Sequence, residues 1–507
     1  MASMDKIPTE VQNILPASLL EIPRSEDKLS VTVGEVGAEE VDTFGWDTVF
    51  AIPIKDVNKA VVDHKSSPKG FRYEDKDSGV TCSGSFGDWQ ICKGGDGEDI
   101  HMCLPVRDLR GTYYNVAGKK VAFGYEKLNA IIEIKLKYIP HQDQPTDPKV
   151  GTFHNLVVRD KSEAPKTDPV ASLVTVEWES GAVEPEIAKY IIEGAITNWC
   201  NEHLGDFAHV FATVNLNRYI DKGEWAFCNP SYTSYAYIDG NTPDDSVLGV
   251  LCMTGGRVPG NNAQQISRFA IPKGSEAGFL ISRERFLKDL ILPTLPLQWT
   301  HASVNDFTIS QDNRTISLKD GLSIQLPDVH HESRSFTPCL KRFALHISGE
   351  LLRVDAYTET EISPGIVSWC QSTHWYTIGL GKSKQGQTLV YKEYQAPVIC
   401  HGKHESPGIE ILDWMLAALA VIATAVLGIL TGGAAFFIGA LIIGLLTGLA
   451  VATPEMIAVA NTDTSPSIDL LAFNAIHPIV WCDSKDFKLN FASLNSSFQL
   501  GGNPGFV

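Results

Sequence analysis

The sequence predicts an α+β fold made of two tandem modules, each a long antiparallel sheet laid against a few long helices. Three observations lead there. Strand-like alternation with one apolar and one polar face recurs along the chain, and helical periodicity is confined to four stretches. The helices are also spaced alike in the two halves: starts near Asp47 and Glu184 stand 137 positions apart, and starts near Arg283 and Asp413 stand 130 apart. That layout suits two copies of a helix, sheet, helix, strand unit. A chain of 507 residues exceeds one ordinary core. We therefore divide it into a polar, partly disordered leader (1–42), a first module (43–245) and a second module (246–507).

The strands are read from alternation. Ile132, Ile134, Leu136 and Tyr138 face one way while Glu133, Lys135 and Lys137 face the other. The same period runs through Val174, Val176 and Trp178, through Phe343, Leu345 and Ile347, and through Phe487, Leu489 and Phe491. One wet face per strand indicates antiparallel sheet. Glycine-rich turns such as Gly94-Gly95-Asp96-Gly97 divide the strands at hairpin spacing.

Four helices are expected. From Trp46 to Val61 apolar residues recur at helical spacing, with Pro53 either kinking the helix or opening a shorter one. Asp47 then stands at the positive end of that helix. A second helix follows Pro185 with a stripe of Ile187, Tyr190, Ile191, Ala195, Trp199 and Cys200. A third starts near Ser282, carries Phe286, Leu287, Leu290 and Ile291, and stops at Pro293. The fourth is the apolar block 413–455, which has no charged residue between Asp413 and Glu455. About 20 apolar residues span a bilayer, so 415–453 has room for two short crossings turning at Gly432-Gly433. Its Ala and Gly content equally suits a tightly packed core helix.

Composition narrows the function. The 60 acidic and 42 basic residues give a net charge of −18, which repels a phosphate backbone and excludes nucleic acid as a partner. The first 20 residues lack the apolar run of a secretory signal, so a cytoplasmic location is expected, with any release by a non-classical route. The 10 cysteines are scattered without a Cys-x-x-Cys pair and read as buried free thiols. His401-Gly402-Lys403-His404-Glu405 and Asp328-Val329-His330-His331-Glu332 lack the His-Glu-x-x-His order that sets two ligands on one helix face. We read both as solvated loops and assign no metal, cofactor or catalytic residue.

Thr43-Phe44-Gly45-Trp46-Asp47-Thr48-Val49-Phe50-Ala51, followed by Val57-Asn58, resembles the opening of the clostridial forty-seven-kilodalton proteins encoded beside botulinum neurotoxin genes. Phe86-Gly87-Asp88-Trp89-Gln90, His209-Val210-Phe211-Ala212-Thr213-Val214 and Pro230-Ser231-Tyr232-Thr233-Ser234-Tyr235-Ala236-Tyr237 resemble later segments of that family in the same order. The likeness is good from about Thr43 to Asp239 and looser beyond. It implies a tubular lipid-binding fold, in which a long curved sheet wraps a helix around an apolar channel. It also implies partners: a lipid or fatty acid, and toxin-complex proteins.

The expected function is thus non-enzymatic binding of a lipid or another long apolar ligand in a tubular cavity, as an accessory or component of a bacterial toxin locus. An acyl chain gains about 0.8 kcal/mol per buried methylene and needs no charged anchor. The residues placed against such a ligand are Trp46, Phe50, Ile187, Ile191 and Trp199, although core packing is the leading role for Trp46. Leu430, Phe436, Phe437 and Leu441 line either a cavity or a membrane. The alternative is a membrane-inserting protein that makes contact through a 415–453 hairpin.

Overall fold

The computed structural model describes residues 39–504 apart from 141, 143, 146–150, 163–167, 179–185, 217–223, 243–244, 410 and 482–486. Most of the expected leader, residues 1–38, lies outside the described residues. The chain runs β1 (Thr48–Pro53), α1 (Ile54–Asp63), β2 (Gly70–Asp75), β3 (Val80–Phe86), β4 (Gln90–Gly97), β5 (Asp99–Tyr114), β6 (Lys120–Ile134), β7 (Leu136–Pro140), β8 (Thr152–Val158), β9 (Ala171–Trp178) and α2 (Glu186–Glu202). Then come β10 (Ala212–Leu216), β11 (Pro230–Ile238), β12 (Val247–Thr254), β13 (Ala277–Ile281), α3 (Arg283–Arg285) and α4 (Leu295–Gln298). The next stretch is β14 (Phe307–Ile309), β15 (Thr315–Leu318), β16 (Ile324–Gln325), β17 (Val329–His331), β18 (Arg334–Phe336), β19 (Cys339–Ser348), β20 (Leu351–Ser363), β21 (Ile366–Ser383), β22 (Gly386–Glu393) and β23 (Val398–Glu405). The chain closes with α5 (Asp413–Thr447), α6 (Pro454–Ile457), α7 (Asp469–Leu471), β24 (Ile479–Trp481), β25 (Phe487–Asn495) and β26 (Ser497–Pro504).

Among the described residues all pairings between the named strands are antiparallel, and one isolated bridge, Val41 to Ser496, is parallel. A 12-stranded sheet runs β2-β3-β5-β4-β11-β12-β1-β13-β26-β25, with β6 joining β5 to β9. The helix α2 touches β9 at one end of the β2-β3-β5-β6-β9 series and β2 and β3 at the other, so those strands curl around it. An eight-stranded sheet built on β19, β20, β21 and β22 packs against α5 through β20, β21, β22 and the adjoining β23. Residue 245 falls between β11 and β12, which pair with each other, so the central sheet draws strands from both sides of that position.

The stretch from Trp46 to Val61 is a strand followed by a helix, so of the two roles open to Pro53 the structure takes the second, a shorter helix opening at that residue. Thr48, Val49 and Phe50 favour extended backbone, and β1 lies fully buried between β12 and β13. Pro53 then caps α1, where its missing N–H costs nothing. Asp47 accordingly stands at no helix terminus. It is buried, accepting from the Thr254 N–H at 2.8 Å and the Thr254 hydroxyl at 3.1 Å and pairing with Arg257 at 3.1 Å.

Other departures have equally local causes. Val174 faces outward because Ile131 pairs with Thr175 and Ile132 with Leu173, leaving Val174 in a bulge. The buried stripe of α2 is Ala188, Ile192, Ala195, Ile196, Trp199 and Cys200, one position later at its start than expected. Pro293 does not stop the third helix, which passes through π-helical Phe286–Ile291 and 3-10 Leu292–Thr294 into α4. The two histidine-bearing stretches expected as loops lie on strands, His330 and His331 in β17 and His401 and His404 in β23. The nine described cysteines are free thiols, five of them buried.

The apolar block forms no hairpin. α5 is a single helix of 35 residues, continuous through Gly432 and Gly433, and by length and composition it is long and apolar enough to cross a membrane. It ends at Gly448 in the left-handed conformation, φ 74°. The Trp225 ring would stand 2.4 Å from a Cβ there, so only glycine fits.

Candidate functional site

The paired strands β5 and β6 carry side chains alternately to the two sheet faces. Leu109 and Leu128 are buried on the inner face. By register Tyr113, Val121, Phe123 and Tyr125 share the face of Leu109, Trp178 on β9 shares the face of Leu128, and the two sets meet where the Tyr125 and Trp178 rings touch. Toward the Tyr114 end of the hairpin these side chains are no longer covered. Phe123, Tyr125 and Trp178 are half-buried, packed against the core on one side only.

The rings form a ladder: Tyr113 to Phe123 at 6.3 Å, Phe123 to Tyr125 at 6.5 Å, and Tyr125 to Trp178 at 4.8 Å, nearly edge-on. Gly111 makes the ladder continuous, because the Phe123 ring would lie 2.1 Å from a Cβ at that position. The Trp178 indole N–H is buried without a hydrogen-bond partner among the described residues, which is costly unless an acceptor arrives. On the opposite sheet face, Thr81, Ser83, Arg110, Thr112, Ala122 and Gly124 line a groove of about 390 Å³.

The residues singled out from sequence are not brought together. Trp46 and Phe50 lie on opposite faces of the central sheet. Trp46 packs with Val49, Leu251 and Leu280, stacks on Tyr232 and donates to the Ala263 carbonyl at 2.9 Å. Phe50 packs in the main core against Phe279, Trp481 and Phe487. Ile187 is 54% exposed, and Ile191 is half-buried. Trp199 stands apart from both, stacked on His203 and set against Phe71 and Phe86.

Of the residues chosen on the apolar helix, Leu430, Phe437 and Leu441 are buried, and Phe436 is half-buried. Phe437 meets Trp299 at 5.1 Å and Phe343 at 5.4 Å, so these rings fill the space beneath α5. The ladder residues Phe123 and Tyr125 were missed. Their only signal is the alternation of Val121, Phe123 and Tyr125 with Lys120, Ala122, Gly124 and Glu126, which any half-buried strand shares.

Polar chemistry elsewhere serves the scaffold. Asp47, Arg257 and Glu284 form a chain of ion pairs where β1 and β12 meet α3, with Arg257 to Glu284 at 3.2 Å, and Arg285 pairs separately with Asp289 at 3.0 Å. Burial raises the carboxyls of Asp47 and Asp289, and the nearby Arg285 and Arg257 oppose that rise. Ser66 Oγ lies 2.9 Å from His209 Nδ1, but that imidazole is buried between Phe207 and Phe211. The pair ties the end of α1 to the segment before β10.

A model of the OrfX-like family, described as protein OrfX2/OrfX3/P47, matches residues 43–502. Protein OrfX3 of Paraclostridium bifermentans is 38% identical over 493 residues, covering 92% of this chain and 99% of that protein. Protein OrfX3 of Clostridium botulinum (strain Kyoto / Type A2) is 34% identical over 491 residues, covering 91% and 98%. The structure of P47 from Clostridium botulinum A2 aligns with a TM-score of 0.57 at 17% identity, covering 92% of this chain and 98% of P47. P47 of Clostridium botulinum E1 gives the same score and identity over 91% and 99%. The antiparallel sheets with few helices are therefore the P47 fold, and by the span of the family match and its identity to both OrfX3 proteins the chain belongs to the OrfX-like family.

Proposed function

We propose that the protein is a non-enzymatic binder of a lipid or another long apolar molecule, acting in the toxin-cluster setting of its family, and that the ligand enters between α2 and the strands that curl around it. The observation that carries this reading is the half-exposed ladder Phe123, Tyr125 and Trp178 on an inner sheet face. Soluble proteins keep contiguous apolar surface small unless it binds something. Aromatic faces at the rim of an apolar channel give a chain or ring system large contact area, and the Trp178 N–H, which has no partner among the described residues, offers one polar contact that would fix a carbonyl or ester oxygen. Each additional methylene drawn inside adds about 0.8 kcal/mol before ordering costs.

The test is native mass spectrometry of the purified full chain, followed by organic extraction and titration with a fluorescent fatty acid and a fluorescent phospholipid. Bound apolar ligand, or saturable uptake that Tyr125→Ala weakens about tenfold, is the expected result. Bare protein, with labelled lipid binding no better than to an unrelated acidic protein, removes the proposal. The toxin-complex partners implied by the family are a proposal of the same standing, to be tested by co-purification with the products of neighbouring genes.

A further inference from the structure

α5 changes character at its middle. From Phe437 to Leu446 every residue is buried. From Asp413 to Gly432 only one side is covered: Ala418, Ile422 and Val426 are buried, whereas Leu416 is 52% exposed and Val421 38%. The strand it packs on carries several buried polar groups. The inner face of β21 presents Ser368, Cys370, Ser372 and His374, all buried, and the Cys370 thiol reaches the Ala423 carbonyl of α5 at 4.0 Å. Ser368 Oγ, Ser372 Oγ and both ring nitrogens of His374 make no hydrogen bond among the described residues.

This half of the helix thus turns leucine and valine to water while packing on a strand that carries buried hydroxyls and an imidazole, so both of its faces are apolar. Covering unpaired polar groups opposes docking. Adjacent glycines at 432 and 433, in mid-helix, weaken the helix where the buried and half-covered parts meet.

The geometry points to a releasable arm: residues 413–431 dock on β21 in a closed state and swing out about Gly432 and Gly433, and the closed state requires the neutral imidazole of His374. Ionisable groups come near that imidazole from the strands of its own sheet. On β21 its neighbours are Cys370 and Tyr376, the latter ring 6.3 Å away and nearly parallel. β20 places Val354 opposite and the Asp355 carboxylate beside it, the latter engaged by the Thr373 hydroxyl and Arg353. β22 brings Tyr391 and Glu393, β23 brings His401, and α5 has no ionisable side chain from Trp414 to Thr447.

Burial pushes the His374 imidazole down from 6.5 to about 4, with Asp355 pulling weakly the other way. Burial also lowers His401. A histidine depressed in the closed state contributes closed-state stability above its ordinary value of 6.5, and that contribution is lost as pH falls from 6.5 toward 4. With those two values the closed-to-open ratio falls about 30-fold between neutral pH and pH 5.

Hydrogen exchange by mass spectrometry on the full chain at pH 7.5 and pH 5.0, corrected for intrinsic rates, reads this directly. Peptides within 413–431 should lose protection about 30-fold at pH 5.0 while 437–447 holds. H374F, or H374Q should the former fail to fold by circular dichroism, should remove the drop. G432A, which adds a methyl in open space, should slow opening about fivefold at either pH. The inference is overturned by an arm equally protected at both pH values, by a pH-dependent loss that survives the His374 variants, or by a G432A arm that opens as readily as before.

Discussion

Around α2 the inner sheet face ends in half-exposed rings, whereas beneath α5 Trp299, Phe307, Phe343 and Phe437 close on one another at 4.9 to 6.1 Å. The two helices differ to match. α2 has 17 residues and carries Glu186, Lys189, Glu193 and Glu202, while α5 has 35 with no charge after Asp413. A long apolar helix supplies its own filling for the sheet that holds it. A short charged one covers only part of its sheet and leaves aromatic surface over. Similar strand patterns therefore produce a packed core in one place and a candidate binding mouth in the other.

That contrast can be broken most decisively with buried rings. Phe437→Ala and Trp46→Ala should each lower stability by about 3 to 5 kcal/mol in denaturant unfolding, since each truncates a buried ring. Ligand uptake per folded molecule should stay unchanged. If Trp46→Ala abolishes uptake while leaving the unfolding midpoint in place, the outer cluster is the binding site and the contrast is misdrawn.

Tyr125→Ala should show the opposite profile, with a stability loss of about 1 kcal/mol or less because half the ring already faces solvent, beside the tenfold weaker uptake. A large loss of stability with normal uptake would make the ladder ordinary core. Trp178→Phe keeps an aromatic ring at the position and removes the indole N–H. It should leave stability within about 0.5 kcal/mol and weaken an ester-bearing probe more than a hydrocarbon one; equal affinities for the two probes would exclude a polar role.

The smallest effect concerns the entry of the chain into the fold. Glu40 is hydrogen-bonded to Arg314, which holds its carboxyl below the usual value and joins the first described residues to the β14–β15 turn. A carboxylate lowered in this way adds stability above its unfolded value of 4.5, and the gain disappears as pH falls through its folded value. The pair is partly exposed, so Glu40→Gln should cost under about 1 kcal/mol at pH 7 and progressively less as pH falls below 4.5. Equal unfolding midpoints at pH 7 for the two proteins would mean that the contact carries no weight.

Much of the scaffold was legible in advance because strand alternation is local. Ile132, Ile134 and Leu136, and Phe343, Leu345 and Ile347, are buried as their spacing required. The third helix buries the four apolar residues chosen for it, and Ser282 caps it by accepting from the Arg285 N–H. Where reading failed, a neighbour distant in sequence had intervened. Apolar residues from 46 to 61 suit a helix by periodicity, yet pairing of β1 with β12 and β13 outweighs that preference. The α2 stripe started one position early because Ile187 and Tyr190 suit a helical face, and only docking decides which face is covered.

The sequence by itself determined the antiparallel strands, the four places where helix would form in whole or part, the apolar block and the family, because each is written in spacing or in side chains adjacent along the chain. Only the tertiary structure decided that the block is one helix, that Trp46 and Phe50 part to opposite faces, and that Phe123, Tyr125 and Trp178 meet at an uncovered rim. The physical reason is that burial is a property of what lies across the gap: the same alternating aromatic strand is core where a helix fills the space above it and a binding surface where the helix falls short.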